Sequence, residues 1–227
     1  MRIHALTVIK DEEHRYLEKC LEWNAPIFDS IHVVDDGSED RSVEIASRFG
    51  AVKTDLKRSF VDNEGKFRQC AWKWWLDQLD PDPGDWLMSF DADEFIVGEL
   101  PAALESYAGK SASFKIHEAW GLNPIVIRHD GWWGTGSNAR IIKASEVLGG
   151  FAFPDRKLGS GSLPTGHMHA SMLLGAEILH LGYAREEDRD EKFARYKGDP
   201  NHSGKHIASI KKKPVLSEWS GVVINVQ

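Results

Sequence analysis

Trp86-Leu87-Met88-Ser89-Phe90-Asp91-Ala92-Asp93-Glu94 is the stretch on which the reading of the fold turns. Five residues that suit a buried strand run without a break into three carboxylates, and Pro81, Pro83 and Gly84 separate them from the pattern before. The same arrangement recurs toward the N-terminus. Residues 3 to 9 form one short apolar run, Ile31-His32-Val33-Val34 forms a second that stops at Asp35-Asp36-Gly37-Ser38, and Ala51-Val52-Lys53-Thr54 forms a third. Helical patterns fill the gaps. One opens at Asp11-Glu12-Glu13 and carries Tyr16, Leu17, Cys20 and Leu21; another is capped by Asp40, runs through Phe49 and stops at Gly50. A long one spans Glu64 to Leu79, with Phe67, Cys70, Ala71, Trp74 and Trp75 on a broad apolar face. Four strands alternating with helices predict a parallel α/β sheet with right-handed crossovers, and such sheets bind ligands at the carboxyl ends of their strands. Asp35-Asp36 and Asp91/Asp93 both fall there.

Beyond about residue 110 the apolar runs shorten (Phe114 to Ile116, Ile125 to Ile127, Ile141 to Ile142, Ile178 to Leu181) and loops rich in Gly, Pro and Trp separate them. The expectation is an appended mixed-sheet half, followed by a charged helix from about Glu186 to Lys197 and a basic tail. Residues 1–227 then make one domain, with residues 1–110 and 111–227 sharing a core.

Composition fits that picture. The chain has 227 residues, 41% of them hydrophobic, plus 20 glycines, which excludes a disordered or collagen-like chain. A formal net charge of −7 argues against a generally basic nucleic-acid-binding surface and leaves only a local patch. The N-terminal apolar run is too short for a signal peptide, and no stretch nears the roughly 18 apolar residues of a membrane helix. Cys20 and Cys70, far apart in helical patterns, read as free buried thiols. A soluble, cytoplasmic protein with no integral membrane segment is expected.

Two carboxylates in Asp-x-Asp spacing at a strand end repel unless something offsets their charge. Asp91 could cap the following turn while Asp93 and Glu94 face water; alternatively a hard divalent cation, Mg²⁺ or Mn²⁺, sits on them beside a substrate diphosphate. The strand end favours the second reading. Asp35-Asp36-Gly37-Ser38 admits two readings too: helix capping, or an Asp that accepts from a nucleobase imide or ribose hydroxyl beside a tight glycine turn.

Taken together these segments resemble the family-2 glycosyltransferases with the GT-A fold, nucleotide-sugar-dependent enzymes. Residues 3 to 108 carry the resemblance, through Thr7-Val8-Ile9-Lys10-Asp11-Glu12-Glu13, Val33-Val34-Asp35-Asp36-Gly37-Ser38-Glu39-Asp40, Glu64-Gly65-Lys66-Phe67-Arg68-Gln69-Cys70-Ala71 and Phe90-Asp91-Ala92-Asp93-Glu94-Phe95. Lys10-Asp11 stands where many relatives have an Asn before the acidic pair, and Gln69 where many have Asn. The resemblance implies a nucleotide-sugar donor, a UDP-sugar, bound through Mn²⁺ or Mg²⁺. Asp36 would hold the nucleobase, Arg68 would lie near the base or its phosphates, Asp91 would face the ribose or sugar, and Asp93 would bind the metal. Lys10 counts with the donor-binding residues. Ile178-Leu179-His180-Leu181-Gly182-Tyr183 resembles the strand whose histidine reaches the metal or diphosphate, which makes His180 a further ligand beside Asp93 and Asp91. The competing reading of His180 is a satisfied core histidine.

An inverting transfer needs a carboxylate base for the acceptor hydroxyl. Glu118, Asp130 and Asp155 are candidates, and Asp155 is preferred because a glycine-rich loop follows it; a solvated loop acid is the alternative for each. Trp120, Trp132 and Trp133 sit in glycine-rich contexts suited to stacking on a sugar or base, while Trp72, Trp74 and Trp75 read mostly as core. His167-Met168-His169 has strand spacing, which sends its imidazoles to opposite faces. Arg185, Lys192, Arg195 and Lys197 read as an ordinary charged helix face, from which one could reach a phosphate. Lys205, His206, Lys211, Lys212 and Lys213 read as a solvated tail, or as a surface for an anionic acceptor. The acceptor stays open among a saccharide, a protein side chain, a lipid-linked intermediate and a modified base in DNA. The rival functions are a sugar nucleotidyltransferase, which should carry a glycine- and lysine-rich phosphate loop after the first strand, and a catalytically silent nucleotide- or sugar-binding module.

Overall fold

A computed structural model describes residues 1–56, 59–197 and 204–221. Its strands and helices follow the chain as β1 (Ile3–Ile9), α1 (Leu17–Asn24), β2 (Ser30–Asp35), α2 (Ser42–Ala46), β3 (Ala51–Lys53), α3 (Glu64–Leu79), β4 (Trp86–Asp91), β5 (Glu94–Gly98) and α4 (Leu100–Glu105). There follow β6 (Ser111–Leu122), β7 (Ile125–Arg128), β8 (Ser137–Lys143), β9 (Ser171–Met172), β10 (Ala176–His180), α5 (Glu186–Tyr196), α6 (Gly204–Ile210) and β11 (Leu216–Glu218).

The sheet runs in the order β11-β7-β6-β8-β4-β1-β2-β3. Strands β3, β2, β1 and β4 are parallel, with Thr7 facing Val33 on one side and Phe90 on the other. From β8 onward the pairing turns antiparallel. Strand β10 lies parallel to β6 and antiparallel to β5, and the register puts His180 opposite both Glu118 and Glu94.

The parallel strands read as unbroken apolar runs because both of their faces are covered. On one face Ala5, Val33, Met88 and Phe90 join Leu17, Cys20 and Leu21 of α1. On the other, Leu6, Val34 and Leu87 meet Phe67, Ala71, Trp72 and Trp75 of α3. The first cluster also takes in Phe114 and Ile116 of β6 and Ile178 and Leu179 of β10, so both halves contribute to it. Helix α3 begins where Asn63 accepts the backbone N–H of Lys66 (2.8 Å) and ends at a left-handed Asp80.

Several local expectations change. The first helix starts six residues after Asp11, because the chain from Asp11 to Glu13 spends its N–H groups on the β2–α2 turn. The second helix shrinks to five residues, with Asp40 accepting the Ser42 N–H at 2.9 Å. His167-Met168-His169 lies in a turn rather than a strand. Trp120 and Trp133 are buried against Tyr183 instead of offering a stacking surface; Trp120 stacks on Tyr183 at 5.6 Å, and the Arg128 guanidinium lies over both indoles. Trp132 alone of the three is exposed. Both cysteines are free, Cys20 buried and Cys70 half-buried. No helix among the described residues is long and apolar enough to cross a membrane. Of the basic tail, the side chains of Lys205 and His206 lie outside the described residues; Lys211 pairs with Asp190, and Lys212 and Lys213 are exposed.

Candidate active site

The carboxyl ends of β2 and β4, on either side of β1, carry two different constructions. At β2 the chain reverses through Gly37, whose φ of +83° is a conformation that L side chains rarely adopt. Asp35 accepts the N–H groups of Gly37 and Ser38, both at 3.1 Å, and so builds the turn itself. Asp36 points into a cleft of about 380 Å³ bounded by Asp35, Gly37, Thr54, Leu56 and Ser59. Its carboxylate accepts from the Phe60 N–H (3.0 Å) and the Ser59 hydroxyl (3.4 Å), and Lys10 donates to its carbonyl oxygen at 3.0 Å. Burial nudges the Asp36 carboxyl above its ordinary range. Arg68 is buried in α3, donating to Glu64 at 2.8 Å with its guanidinium over the Phe60 ring.

The loop after β1 is an acidic brace. Asp11, Glu12 and Glu13 donate their backbone N–H groups to Ser38, Ser42 and Asp40 at 2.7 to 2.9 Å. No N–H of these three residues is left to cradle a phosphate.

At β4 the acids part company. Asp91 turns toward Arg140, which donates to it at 3.1 Å and also to the buried Glu94 and to Ser162. Burial pushes the Glu94 carboxyl up and Arg140 draws it back. Glu94 is therefore not a solvated acid but the buried partner of a buried arginine. Asp93 faces the other way. Its Oδ1 lies 3.3 Å from Nε2 of His180, and its Oδ2 lies 3.8 Å from Nζ of Lys192. Burial alone would raise the Asp93 carboxyl; His180 and Lys192 more than offset it and hold that carboxyl well below the usual range.

His180 is fixed from behind by Glu118, 2.5 Å from Nδ1. Burial favours the neutral ring, but Glu118 and Asp93 outweigh burial and Lys192, and the imidazole is pushed up to about 10. Gly182 completes the cluster. A Cβ there would lie 2.0 Å from Lys192 Nζ, 2.4 Å from His180 Nε2 and 2.6 Å from Asp93 Oδ2, so only a residue without a side chain admits this convergence.

Among the described residues no group of three or more His, Cys, Asp or Glu is arranged to hold a metal ion. Of the three expected ligands, Asp93 and His180 come together and Asp91 is engaged elsewhere. A carboxylate oxygen and an imidazole nitrogen beside a glycine gap still form a donor set suited to Mn²⁺, and to a metal that keeps waters and shares substrate phosphates. Asp155 is 67% exposed in its side chain, pairs with Lys66 at 3.0 Å and accepts from Asn63 at 2.7 Å on the N-terminal rim of α3. Asp130, the third candidate base, clamps Arg128 in a two-pronged pair.

Neither a protein-family model nor a curated protein matches the chain. Solved structures do. Glucosyl-3-phosphoglycerate synthase from Mycobacterium tuberculosis, in complex with Mn²⁺, UDP and glucosyl-3-phosphoglycerate, superposes with a TM-score of 0.50 at 15% identity, over 96% of this chain and 87% of that one. The same enzyme with phosphoglyceric acid gives 0.49 at 16% identity, over 86% and 76%. The chain has the GT-A fold.

Of three side chains that shape this candidate site, the sequence reading missed Arg140 and gave Glu118 and Lys192 other places. Arg140 carried a signal, a charge set among Ala139, Ile141 and Ile142 in an apolar strand. Glu118 was weighed as a base and turns out to orient His180. Lys192 looks like any lysine of a charged helix. Its signal is Asp188, one turn earlier on the same face, which is buried against Arg15 (3.2 Å) and Tyr16 and pulls that face inward.

Proposed function

We propose that the protein is a glycosyltransferase that moves a sugar from a nucleoside diphosphate donor, a UDP-sugar, to a hydroxyl acceptor. One juxtaposition carries the reading: a cleft holding Asp36 at the end of β2 and the Asp93–His180 pair beyond the end of β4 flank one strand of a GT-A sheet. The glucosyl-3-phosphoglycerate synthase of like fold is described with UDP and Mn²⁺, which supports the donor class and the metal.

In this reading Asp36 recognises the nucleobase, and Lys10 and Arg68 add positive charge on the donor side. Asp91, more exposed than Asp93, meets the ribose or sugar. Asp93 and His180 would hold Mn²⁺ or Mg²⁺, whose charge neutralises the departing diphosphate. Glu118 keeps His180 oriented by accepting a hydrogen bond from its Nδ1–H. For an acceptor that enters over the N-terminus of α3, Asp155 is the carboxylate that takes the hydroxyl proton. The acceptor class stays open among a saccharide, a lipid-linked intermediate and a modified base in DNA. A sugar nucleotidyltransferase fits less well, because the loop after β1 is acidic and its N–H groups are committed within the protein.

The test is release of the nucleoside diphosphate from a panel of nucleotide sugars with Mn²⁺, with the acceptor classes then added in turn. UDP-sugar turnover that disappears in Asp93→Ala while the fold stays intact is the expected result. Undiminished turnover in that variant, or no release from any donor, overturns the reading.

A further inference from the structure

Lys192 has a fixed place in the Asp93 site and no part in the function proposed above. We infer that its ammonium is a built-in counter-ion of Asp93, which a divalent cation must displace, so that this side chain weakens the hold of the site on metal. The inference rests on Asp93 and His180 being the metal ligands.

Three observations support it. The ammonium lies 3.8 Å from Asp93 Oδ2 and 3.3 Å from His180 Nε2, and so faces both groups that would ligate the metal. Its position is not a chance of side-chain rotation. Helix α5 is pinned through the buried Asp188 to Arg15 and Tyr16, and Lys192, four residues on, comes off the same face. Gly182 then leaves room for the ammonium where any Cβ would strike it. Finally, the ammonium has a second seat: the Tyr183 ring centroid is 4.5 Å away, and an aromatic face accepts a cation. Lys192 can thus yield Asp93 and keep a partner. Two cations on one carboxylate repel strongly where solvent is scarce, so metal and ammonium compete for Asp93.

Direct metal binding tests this without donor or acceptor. Mn²⁺ is titrated into the wild type, Lys192→Met, Lys192→Gln, Lys192→Arg and Asp93→Asn, and free Mn²⁺ is followed by electron paramagnetic resonance; urea unfolding confirms that each variant is folded. Removing the charge should tighten Mn²⁺ binding about tenfold, while Lys192→Arg stays near the wild type and Asp93→Asn loses binding. Glutamine guards against a methionine variant that fails to fold. Binding equal to or weaker than wild type in the neutral variants, with Asp93→Asn still inactive in binding, overturns the counter-ion role and leaves the ligand assignment standing. Binding that survives Asp93→Asn, or is absent from every variant, overturns both.

Discussion

The two strand ends of the candidate site are made of different material. At β2 the polar contacts come mostly from backbone N–H groups within about 25 residues of Asp36, whereas at β4 side chains from five separate stretches (Asp93, Glu118, Arg140, His180, Lys192) settle one another's charge. A backbone-built cleft keeps its shape when one side chain is removed. A buried charge cluster does not, since each member leaves an uncompensated partner behind. Substitutions at β4 should therefore have large effects, on activity at Asp93 and on stability at Arg140, and those at β2 small effects confined to donor binding.

Asp93→Ala should give the largest effect. It removes the carboxylate that meets His180 and Lys192, and metal-dependent turnover should fall by about a thousandfold or more, measured as UDP release at saturating donor. A loss of less than tenfold would make the two strand ends equivalent. Arg140→Met comes next. It strands Glu94, 1% exposed, in an apolar setting, and stability should drop by about 3 to 5 kcal/mol in urea unfolding. Unchanged stability would mean that Glu94 simply takes up a proton at little cost. Asp36→Ala should weaken donor affinity about tenfold by calorimetry and move stability by less than about 1 kcal/mol, because Asp35 and not Asp36 holds the turn.

The same contrast explains what could be read in the sequence. Strands β1, β2 and β4 and helix α3 lie within one residue of where their patterns place them, because two-sided burial and local caps write themselves into consecutive residues. Asp35, Asp36 and Gly37 are adjacent, and their turn is legible as a turn. Glu94 and Arg140 are 46 residues apart and Asp93 and Lys192 are 99 apart, so no local pattern pairs them. β5 was hidden for another reason: its apolar core, Phe95-Ile96-Val97, follows directly on the acidic signature and reads as that signature's tail. Trp120 and Trp133 misled because neighbouring glycines suggest a loop, whereas Arg128 and Tyr183 had already claimed their faces.

Glu12, which sits on the β1 loop between the two ends, should leave turnover nearly untouched and show itself in stability alone. Burial pushes its carboxyl up to about 7 although Arg15, 3.3 Å away, pulls it down, and its Oε2 has no hydrogen-bond partner among the described residues. The folded state therefore holds a proton that the unfolded chain, titrating near 4.5, gives up. The Glu12 contribution to stability should fall as pH rises from 4.5 and level off above 7, by about 3 kcal/mol. Glu12→Gln cannot ionise, so its advantage over the wild type should be nil near pH 4 and fully grown by pH 8. His4, buried at the opposite end of β1, tilts the other way: burial holds its imidazole below 6.5, and its contribution is lost as pH falls through that value. The two are separable because the Glu12 component is the difference between wild type and Glu12→Gln, from which His4 cancels. A difference that is flat between pH 4 and 8 would place the Glu12 carboxylate in water, and would remove it from the charge balance that Asp93 and Lys192 share.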